Sequence, residues 1–291
     1  MTGSLGKESG MSEQNLEEKI RSLQALIDGA SKIVFFGGTG VSTESGLKDF
    51  RSQDGLYHEH YKYPPERILS HSFFMRQPED FYRFYFDKLL VDGLAAPKSS
   101  GQTGTPAGGK RSSGVIEPNT AHKKLAELEA AGKLSAVITQ NIDGLHQRAG
   151  SRKVFELHGS IHRNHCMSCG HFFDGEYLLA HRDAEKPVPH CPVCGGIIKP
   201  DVVLYEEGLD QSVINGALEA IEEADLLIIG GTSLTVYPAA GFIRYYRGNH
   251  LVLINRDATG QDELADLVIH GSIGEILGKI RVSKASEVRA L

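Results

Sequence analysis

Four short apolar runs, each ending in glycine or polar residues, constrain the fold of this chain more than any other feature. Helical patterns precede and separate them, the first at 14–30 with apolar residues at helical spacing, and others at 119–133, 213–225 and 237–249. Short buried strands alternating with helices predict a parallel sheet covered on both faces. The runs are KIVFFGG, AVITQN, LLIIGGTSL and LVLIN.

The polar residues that follow these strands are expected to meet in one crevice, because ligands of open α/β sheets bind beyond the carboxyl ends of the strands. These residues lie at 37–51, 140–143, 231–233 and 255–256. The first group is rich in glycine, which favours a phosphate. Its spacing departs from the common dinucleotide fingerprint, since Thr43 stands where a third glycine belongs and the next glycine is Gly46. The sequence therefore predicts a nucleotide site of another kind.

Composition excludes several classes of protein. The chain of 291 residues has a net charge of −6 and a pI near 6.1, so no broad basic surface for nucleic acid is expected. No apolar stretch is long enough to span a membrane, and the N-terminus lacks the pattern of a secretory signal.

Residues 1–14 are predicted to form a disordered leader. Residues 93–114, rich in Gly, Ser, Pro and Thr, are predicted to form a mobile loop.

The four cysteines form two C-x-x-C pairs, at 166 and 169 and at 191 and 194. Four thiolates fill a tetrahedral Zn²⁺ shell, so Cys166, Cys169, Cys191 and Cys194 predict one structural zinc ion and no metal chemistry. Redox dithiols or unrelated buried cysteines are the alternatives. Histidines at 165, 171 and 190 could in principle replace a cysteine, but a full cysteine set leaves them on the surface. Free cysteines also fit a reducing cytoplasm.

Two further motifs are TQNIDGLHQRAG at 139–150 and ELHGS at 156–160. Taken alone, His158 is more often a structural histidine than a catalyst, and Asn141 with Asp143 is often only a turn. The chain also contains GGTGVSTESGLKDFRS, the cysteine pairs, KPDVVLYEE, GTSLTVYPAAG and INRD. Taken together, these motifs resemble the sirtuins, the NAD-dependent protein lysine deacylases. The resemblance runs from about residue 15 to 280 in order.

The resemblance implies a site for NAD as a consumed substrate. It places the pyrophosphate on the two glycine loops, the adenine ribose at Asn255, and the nicotinamide ribose under Phe50 and Arg51 with Gln140 at its hydroxyls. Asn141 and Asp143 would line the pocket for nicotinamide. The full set of implied cofactor residues is Gly38, Thr39, Gly40, Ser42, Asp49, Phe50, Arg51, Gln140, Asn141, Ile142, Asp143, Gly231, Thr232, Ser233, Asn255 and Arg256.

The implied chemistry transfers an acyl group, chiefly acetyl, from a protein lysine to ADP-ribose, with release of nicotinamide. His158 would be the base that takes a proton from a ribose hydroxyl. The substrate peptide would add as a strand beside KPDVVLYEEG. Val202, Val203 and Ile142 would line the channel for the lysine, and Tyr205 and Glu206 would also contact the substrate.

The sequence departs from the usual sirtuin pattern at Thr39, at Lys48 and at Glu206. Sirtuins that prefer succinyl-lysine carry a Tyr-x-x-Arg pair in the aromatic helix, and Tyr82 is followed there by Tyr85. Aromatic walls from Phe81, Phe84 and Tyr85 are expected to favour acetyl or longer neutral acyl groups over succinyl.

These patterns predict an α/β fold with a Rossmann-like domain formed by 15–55, 119–160 and 198–285. A smaller domain would combine a helical module at 56–118 with a zinc ribbon at 161–197. The expected partners are acyl-lysine proteins or peptides, without nucleic acid or membrane, and a monomer is favoured. An ordinary NAD-dependent dehydrogenase, a zinc-ribbon binding protein that retains the NAD fold without turnover, and a mono-ADP-ribosyl transferase are the alternatives.

Overall fold

A computed structural model describes residues 13–48, 62–90 and 116–282. The first helix begins at Glu13 and therefore includes the last two residues of the predicted leader. The loop predicted at 93–114 and the predicted cofactor residues Asp49, Phe50 and Arg51 lie outside the described residues. None of the described helices is both long and apolar enough to cross a membrane.

Nine strands form two sheets in the described part of the chain. The larger sheet has six strands in the order β3-β2-β1-β7-β8-β9, and every neighbouring pair is parallel. The smaller sheet has the order β5-β4-β6 and is antiparallel. The strands are β1 Ile33–Gly37, β2 Leu134–Thr139, β3 Val154–Glu156, β4 Gly159–Cys166, β5 Phe172–Asp174, β6 Ile198–Val202, β7 Leu226–Gly230, β8 His250–Asn255 and β9 Leu267–His270.

The predicted α/β fold with a Rossmann-like parallel sheet is confirmed. The four apolar runs of the sequence are β1, β2, β7 and β8, which form the centre of the sheet. Successive side chains of β1 alternate between two cores: Ile33 and Phe35 face one core, and Val34 and Phe36 face the other. Helices therefore cover both faces of the sheet.

Local sequence sets where the helices begin. Asn119 caps the helix from Thr120 with its side chain, and Asp210 does the same for the helix from Gln211. The segment 237–249, predicted to be helical, contains a 3₁₀ helix at Ala239–Tyr245 instead of an α-helix. The α-helices are α1 Glu13–Gly29, α2 Pro65–Ile68, α3 His71–Arg76, α4 Pro78–Phe84, α5 Thr120–Ala130, α6 Leu145–Ala149, α7 Gly175–Ala180, α8 Gln211–Glu223 and α9 Ile273–Gly278.

A third core joins the aromatic helices to the cysteine region. Phe74, Phe81 and Tyr82 of the helices pack in one cluster with Phe173 and Ile198 of the small sheet. A π-helical turn, Tyr85–Leu90, continues α4 into this core. The helical module and the cysteine module therefore share a single hydrophobic core, and we propose that they form one smaller domain.

Strand β6 belongs to the sheet of this smaller domain, since it pairs with β4. The sequence analysis assigns residues from 198 onward to the larger domain, so the boundary that we now propose lies after Val202.

Candidate functional site

A cavity of about 600 Å³ lies at the carboxyl ends of the central strands, where the polar motifs meet. Every predicted cofactor and substrate residue within the described part of the chain lines it. These residues are Gly38, Thr39, Gly40, Ser42, Gln140, Asn141, Ile142, Asp143, His158, Val202, Val203, Tyr205, Glu206, Gly231, Thr232, Ser233, Asn255 and Arg256.

Two glycine loops lie in backbone contact with each other in the lining of the cavity. The backbone N–H of Gly40 donates to the carbonyl oxygen of Gly231 at 2.8 Å. A Cβ atom at Gly40 would lie 2.8 Å from the Cα of Gly231, and Gly231 has a φ of +61°. Only glycine allows this approach without strain, and the loops after β1 and β7 present their backbones to the same space.

Three buried side chains form a hydrogen-bonded group beside the first loop. The Ser42 hydroxyl donates to Asp143 Oδ2 at 2.7 Å and accepts from Asn141 Nδ2 at 2.9 Å. Burial raises the pKa of the Asp143 carboxyl, and the hydrogen bonds from Leu145 N–H and Ser42 oppose that rise. Asn141 Oδ1 is buried without a partner in the described structure, so this group has an acceptor ready for a ligand.

His158 lies at the turn between β3 and β4, and its orientation is fixed by a backbone carbonyl. Its Nδ1 is 2.9 Å from the carbonyl oxygen of Gln140. Because a carbonyl only accepts, Nδ1 carries the proton and Nε2 keeps its lone pair. Burial lowers the pKa of His158, and the Gln140 bond partly offsets this. The imidazole is therefore neutral at pH 7 and able to accept a proton.

The ends of β7 and β8 are connected by Asn255. Its Oδ1 accepts from the N–H of Thr232 at 3.0 Å, while its Nδ2 is buried without a partner in the described structure. The Thr232 hydroxyl in turn accepts from Gln140 Nε2 at 3.0 Å. One donor of Asn255 thus remains available in the cavity, next to the second glycine loop.

The edge after β6 is held by the helical module. Tyr205 N–H donates to the Leu69 carbonyl, and the Tyr205 carbonyl accepts from His71 N–H, both at 2.9 Å. A peptide strand at this edge would therefore pair with main-chain groups other than those of Tyr205. Glu206 has a left-handed φ of 75°, and its carboxylate accepts from the N–H and the hydroxyl of Ser72. These bonds offset the strain of a non-glycine residue in that conformation.

The four cysteines come together as the spacing predicts. Their sulfur atoms all lie within 4.8 Å of one another, which fits the four thiolate ligands of one tetrahedral Zn²⁺. Backbone N–H groups, that of Cys169 first, lower the pKa of the Cys166 thiol to about 6 and so favour the thiolate. His190 bonds to the Gly195 carbonyl instead of joining the cysteines.

The predicted aromatic wall of the acyl site is wrong. Phe81, Phe84 and Tyr85 do not line the cavity; Phe81 and Tyr85 stack on each other inside the smaller domain. The π-helical turn instead contributes Lys88 and Leu89 to the cavity. Phe81, Phe84 and Tyr85 pack in the core of the smaller domain instead. The sequence pattern of an α-helix carries no signal for the π-helical turn at 85–90.

Several residues at the site lie outside the predicted set. Asn119 Nδ2 donates to the Val41 carbonyl at 2.7 Å, and Glu44 Oε1 accepts from Gly274 N–H at 2.9 Å, so both hold the first glycine loop. His162 bonds to the Asp143 carbonyl at 3.0 Å. Asn119 carries a helix-cap signal in the sequence, but its second contact depends on tertiary structure.

The fold and the site together define a nucleotide-binding α/β protein with a second, four-cysteine domain and a neutral histidine at the nucleotide cavity. The Sir2 family model matches residues 38–99 and 109–238. An NAD-dependent protein deacetylase of Clostridium acetobutylicum is 53% identical over 264 residues, covering 90% of this chain and 98% of the relative. This chain belongs to the Sir2 family.

Solved structures agree with this assignment. A Sir2 enzyme structure matches with a TM-score of 0.75 and 35% identity, covering 94% of this chain and 99% of that chain. A Sir2 complex with a deacetylated p53 peptide and 3′-O-acetyl ADP-ribose matches with a TM-score of 0.74 and 33% identity, covering 89% and 95%. The cysteine module lies within the residues that the family model matches.

Proposed function

We infer that this protein removes acetyl groups from protein lysines with NAD as a consumed co-substrate, yielding nicotinamide, O-acetyl-ADP-ribose and free lysine. One observation carries this function: His158, oriented and neutral, lies in the same cavity as the Ser42–Asn141–Asp143 group. The two glycine loops line that cavity as well. The names of the relatives agree with this chemistry.

Each part of the cavity suits one part of NAD. Backbone N–H groups of the glycine loops, with the hydroxyls of Ser233 and Thr232, would bind the pyrophosphate. The free Asn255 Nδ2 would donate to a ribose hydroxyl. The unpartnered Asn141 Oδ1 would accept from an amide such as that of nicotinamide, since a buried acceptor without a partner is costly. Bound NAD supplies the anomeric carbon from which nicotinamide departs.

His158 would act as a general base. Its Nδ1–H is occupied by the Gln140 carbonyl, so Nε2 is the atom that takes the proton of a ribose hydroxyl. Proton acceptance would generate an imidazolium, which the same Gln140 carbonyl stabilises. The neutral resting state, favoured by burial, leaves the base ready at physiological pH.

The acyl-lysine would enter between the edge after β6 and the second glycine loop. Leu69, Leu89, Ile142, Ile161 and Val202 line this side of the cavity and provide an apolar environment for the lysine stem and a small acyl group. The deacetylase relatives and the apolar lining both support acetyl as the principal group.

We propose that the zinc ion is purely structural and that the protein works as a monomer in the cytoplasm. Four thiolates leave no open coordination position, so the metal stabilises the cysteine module without touching the substrate. None of the four cysteines is in a disulfide, which agrees with a reducing compartment.

Incubation with NAD and an acetyl-lysine peptide tests the proposed function. We expect nicotinamide and deacetylated peptide in equal amounts. Growth of reduced-cofactor absorbance would identify a dehydrogenase, and peptide labelled with ADP-ribose would identify a transferase. NAD binding without any product would favour a binding protein. Any of these three outcomes would overturn the proposal.

A further inference from the structure

Strand β4 forms hydrogen bonds to the turn that carries Asn141 and Asp143. Ile161 N–H donates to the Ile142 carbonyl at 3.1 Å, and His162 Nε2 lies 3.0 Å from the Asp143 carbonyl oxygen. The carbonyl can only accept, so Nε2 of His162 is the protonated nitrogen and donates this bond. The start of β4 thus binds two consecutive carbonyls of the turn.

The imidazole of His162 also packs directly against the turn. A Cβ atom placed on Gly144 would lie 2.6 Å from His162 Nε2, and Gly144 has a left-handed φ of +69°. A side chain at position 144 would therefore displace the ring. On the other side of this turn, Asp143 Oδ1 accepts from Leu145 N–H at 2.9 Å and Oδ2 accepts from Ser42.

These contacts leave Asp143 fixed at both its backbone and its carboxyl group. Its side chain is bound by Ser42 and by the N-terminus of α6, while its carbonyl is bound by His162. The imidazole also lowers the pKa of Asp143, against the larger effect of burial. Loss of the His162 bond would leave the carbonyl unpartnered and free the turn to rotate, which would move the carboxyl group relative to Ser42.

We propose that His162 is a positioning residue for nicotinamide: it fixes the Asp143–Gly144 turn, and through it the pocket from which nicotinamide leaves. This inference rests on the proposed function and deepens it. His162 itself touches no reacting atom in this scheme; it acts through Asp143.

Two substitutions at His162 and one elsewhere test the proposal. His162→Leu removes the donor, and His162→Gln restores an N–H at nearly the same distance from the backbone. His181→Leu is the matched control, because His181 also bonds to a backbone carbonyl, that of Tyr177 at 2.8 Å, but is not among the residues that line the cavity. The measurements are KM for NAD, KM for the peptide, the inhibition constant of nicotinamide and the melting temperature.

We expect His162→Leu to raise both KM for NAD and the nicotinamide inhibition constant by about tenfold, the loss that one buried hydrogen bond causes. KM for the peptide should stay within about twofold, and His162→Gln should recover most of the change. A merely structural role would lower the melting temperature and the amount of active enzyme without changing nicotinamide inhibition.

Unchanged nicotinamide inhibition in His162→Leu would overturn the proposal, as would an equal change in His181→Leu. If His162→Leu does not fold, His162→Met, which also lacks the N–H, replaces it. A raised nicotinamide inhibition constant in His162→Met that returns toward the parent value in His162→Gln supports the proposal, and parent-like inhibition in both variants overturns it. Absence of NAD-dependent deacetylation in the unmodified protein would instead refute the proposed function, which separates the two failures.

Discussion

In the mechanism that we propose, His158 accepts a proton at Nε2 while its Nδ1–H donates to the Gln140 carbonyl. We expect His158→Ala to lower deacetylation by a factor of order 10², as removal of a general base does. NAD binding, measured by calorimetry, and the melting temperature should change little. His250→Ala, an exposed histidine at the start of β8, is the control.

Turnover that stays within a few-fold of the parent enzyme would remove His158 from the mechanism. A large loss of NAD affinity would show instead that the ring contributes to binding.

We propose that Asn141 and Asp143 line the pocket from which nicotinamide leaves and to which it returns. We expect Asn141→Ala and Asp143→Ala each to suppress exchange of labelled nicotinamide into NAD, because each removes one member of the hydrogen-bonded group at Ser42. The loss should be at least about tenfold, the effect of one or more buried hydrogen bonds. The measurement is the rate of nicotinamide exchange into NAD in the presence of an acetylated peptide. Normal exchange in both variants would place the nicotinamide pocket elsewhere.

Residues that line the cavity and belong to a motif could be predicted from the sequence, while residues that support them could not. Gly38, Asn141 and His158 stand in motifs whose spacing follows a strand, and all of them line the cavity. Asn119 and His162 act through one tertiary hydrogen bond each, and nothing in their neighbourhood in the sequence signals the partner.

At the scale of elements, the cysteine module depends on its metal. We expect about one tightly bound zinc ion per chain, and we expect Cys166→Ser or Cys191→Ser to melt the smaller domain before the parallel sheet, because metal binding supplies folding free energy to such modules. Cys166 and Cys191 are the two buried ligands of the set. Metal analysis together with thermal unfolding provides the measurement. A metal-free protein of full stability would contradict it.

The π-helical turn after α4 contributes Leu89 to the apolar lining of the cavity, and this lining determines which acyl group we expect the enzyme to prefer. We expect kcat/KM for acetyl-lysine to exceed that for succinyl-lysine on one peptide, because Leu69, Leu89 and Val202 line the cavity with apolar surface and a buried carboxylate without a partner is costly. Lys88 lies on the same lining and is the described cation nearest in sequence to Leu89. The control is Lys88→Met, which should leave acetyl-lysine turnover within about twofold of the parent enzyme. A succinyl preference that disappears in Lys88→Met would show that this cation, and not the apolar lining, sets the acyl group.

The four apolar runs predicted four strands of the sheet, and the shortest strands escaped prediction. β3 has three residues and β9 has four, too few to display a period, and both lie at the edges of the sheet. The π-helical turn also leaves no mark in the sequence, so Lys88 and Leu89, which it contributes to the cavity, were not predicted.

At the scale of the whole molecule, two buried histidines make stability depend on pH. His122 and His146 lie with ring centroids 4.7 Å apart under the site, and both are buried. Burial lowers the pKa of His122 to about 4 and that of His146 well below its usual value. Between pH 6.5 and 4 the unfolded chain therefore binds protons that the folded chain does not, so the free energy of unfolding falls as the pH falls.

The contribution of His122 alone amounts to about 2 kcal/mol of stability lost between pH 8 and pH 5. Asp143, whose pKa is raised by burial, works in the opposite direction. Urea unfolding at a series of pH values measures the combined effect of these groups on the free energy of unfolding. His146→Phe keeps an aromatic ring and should make the free energy of unfolding depend less on pH. A free energy of unfolding that is flat from pH 7 to pH 5 would contradict the prediction.

The strand order has a consequence for how the chain is made. Strand β1 sits in the middle of the parallel sheet, with β2 on one side and β7 on the other. Lys32, just before β1, bonds to Asp225, which lies 193 positions further along the chain. Strand pairing across such sequence separations is slow, because closing a long loop costs conformational entropy before the stabilising contacts form. During synthesis, β1 therefore emerges from the ribosome long before β7, and until then it presents an apolar, unpaired edge that a chaperone would have to shield.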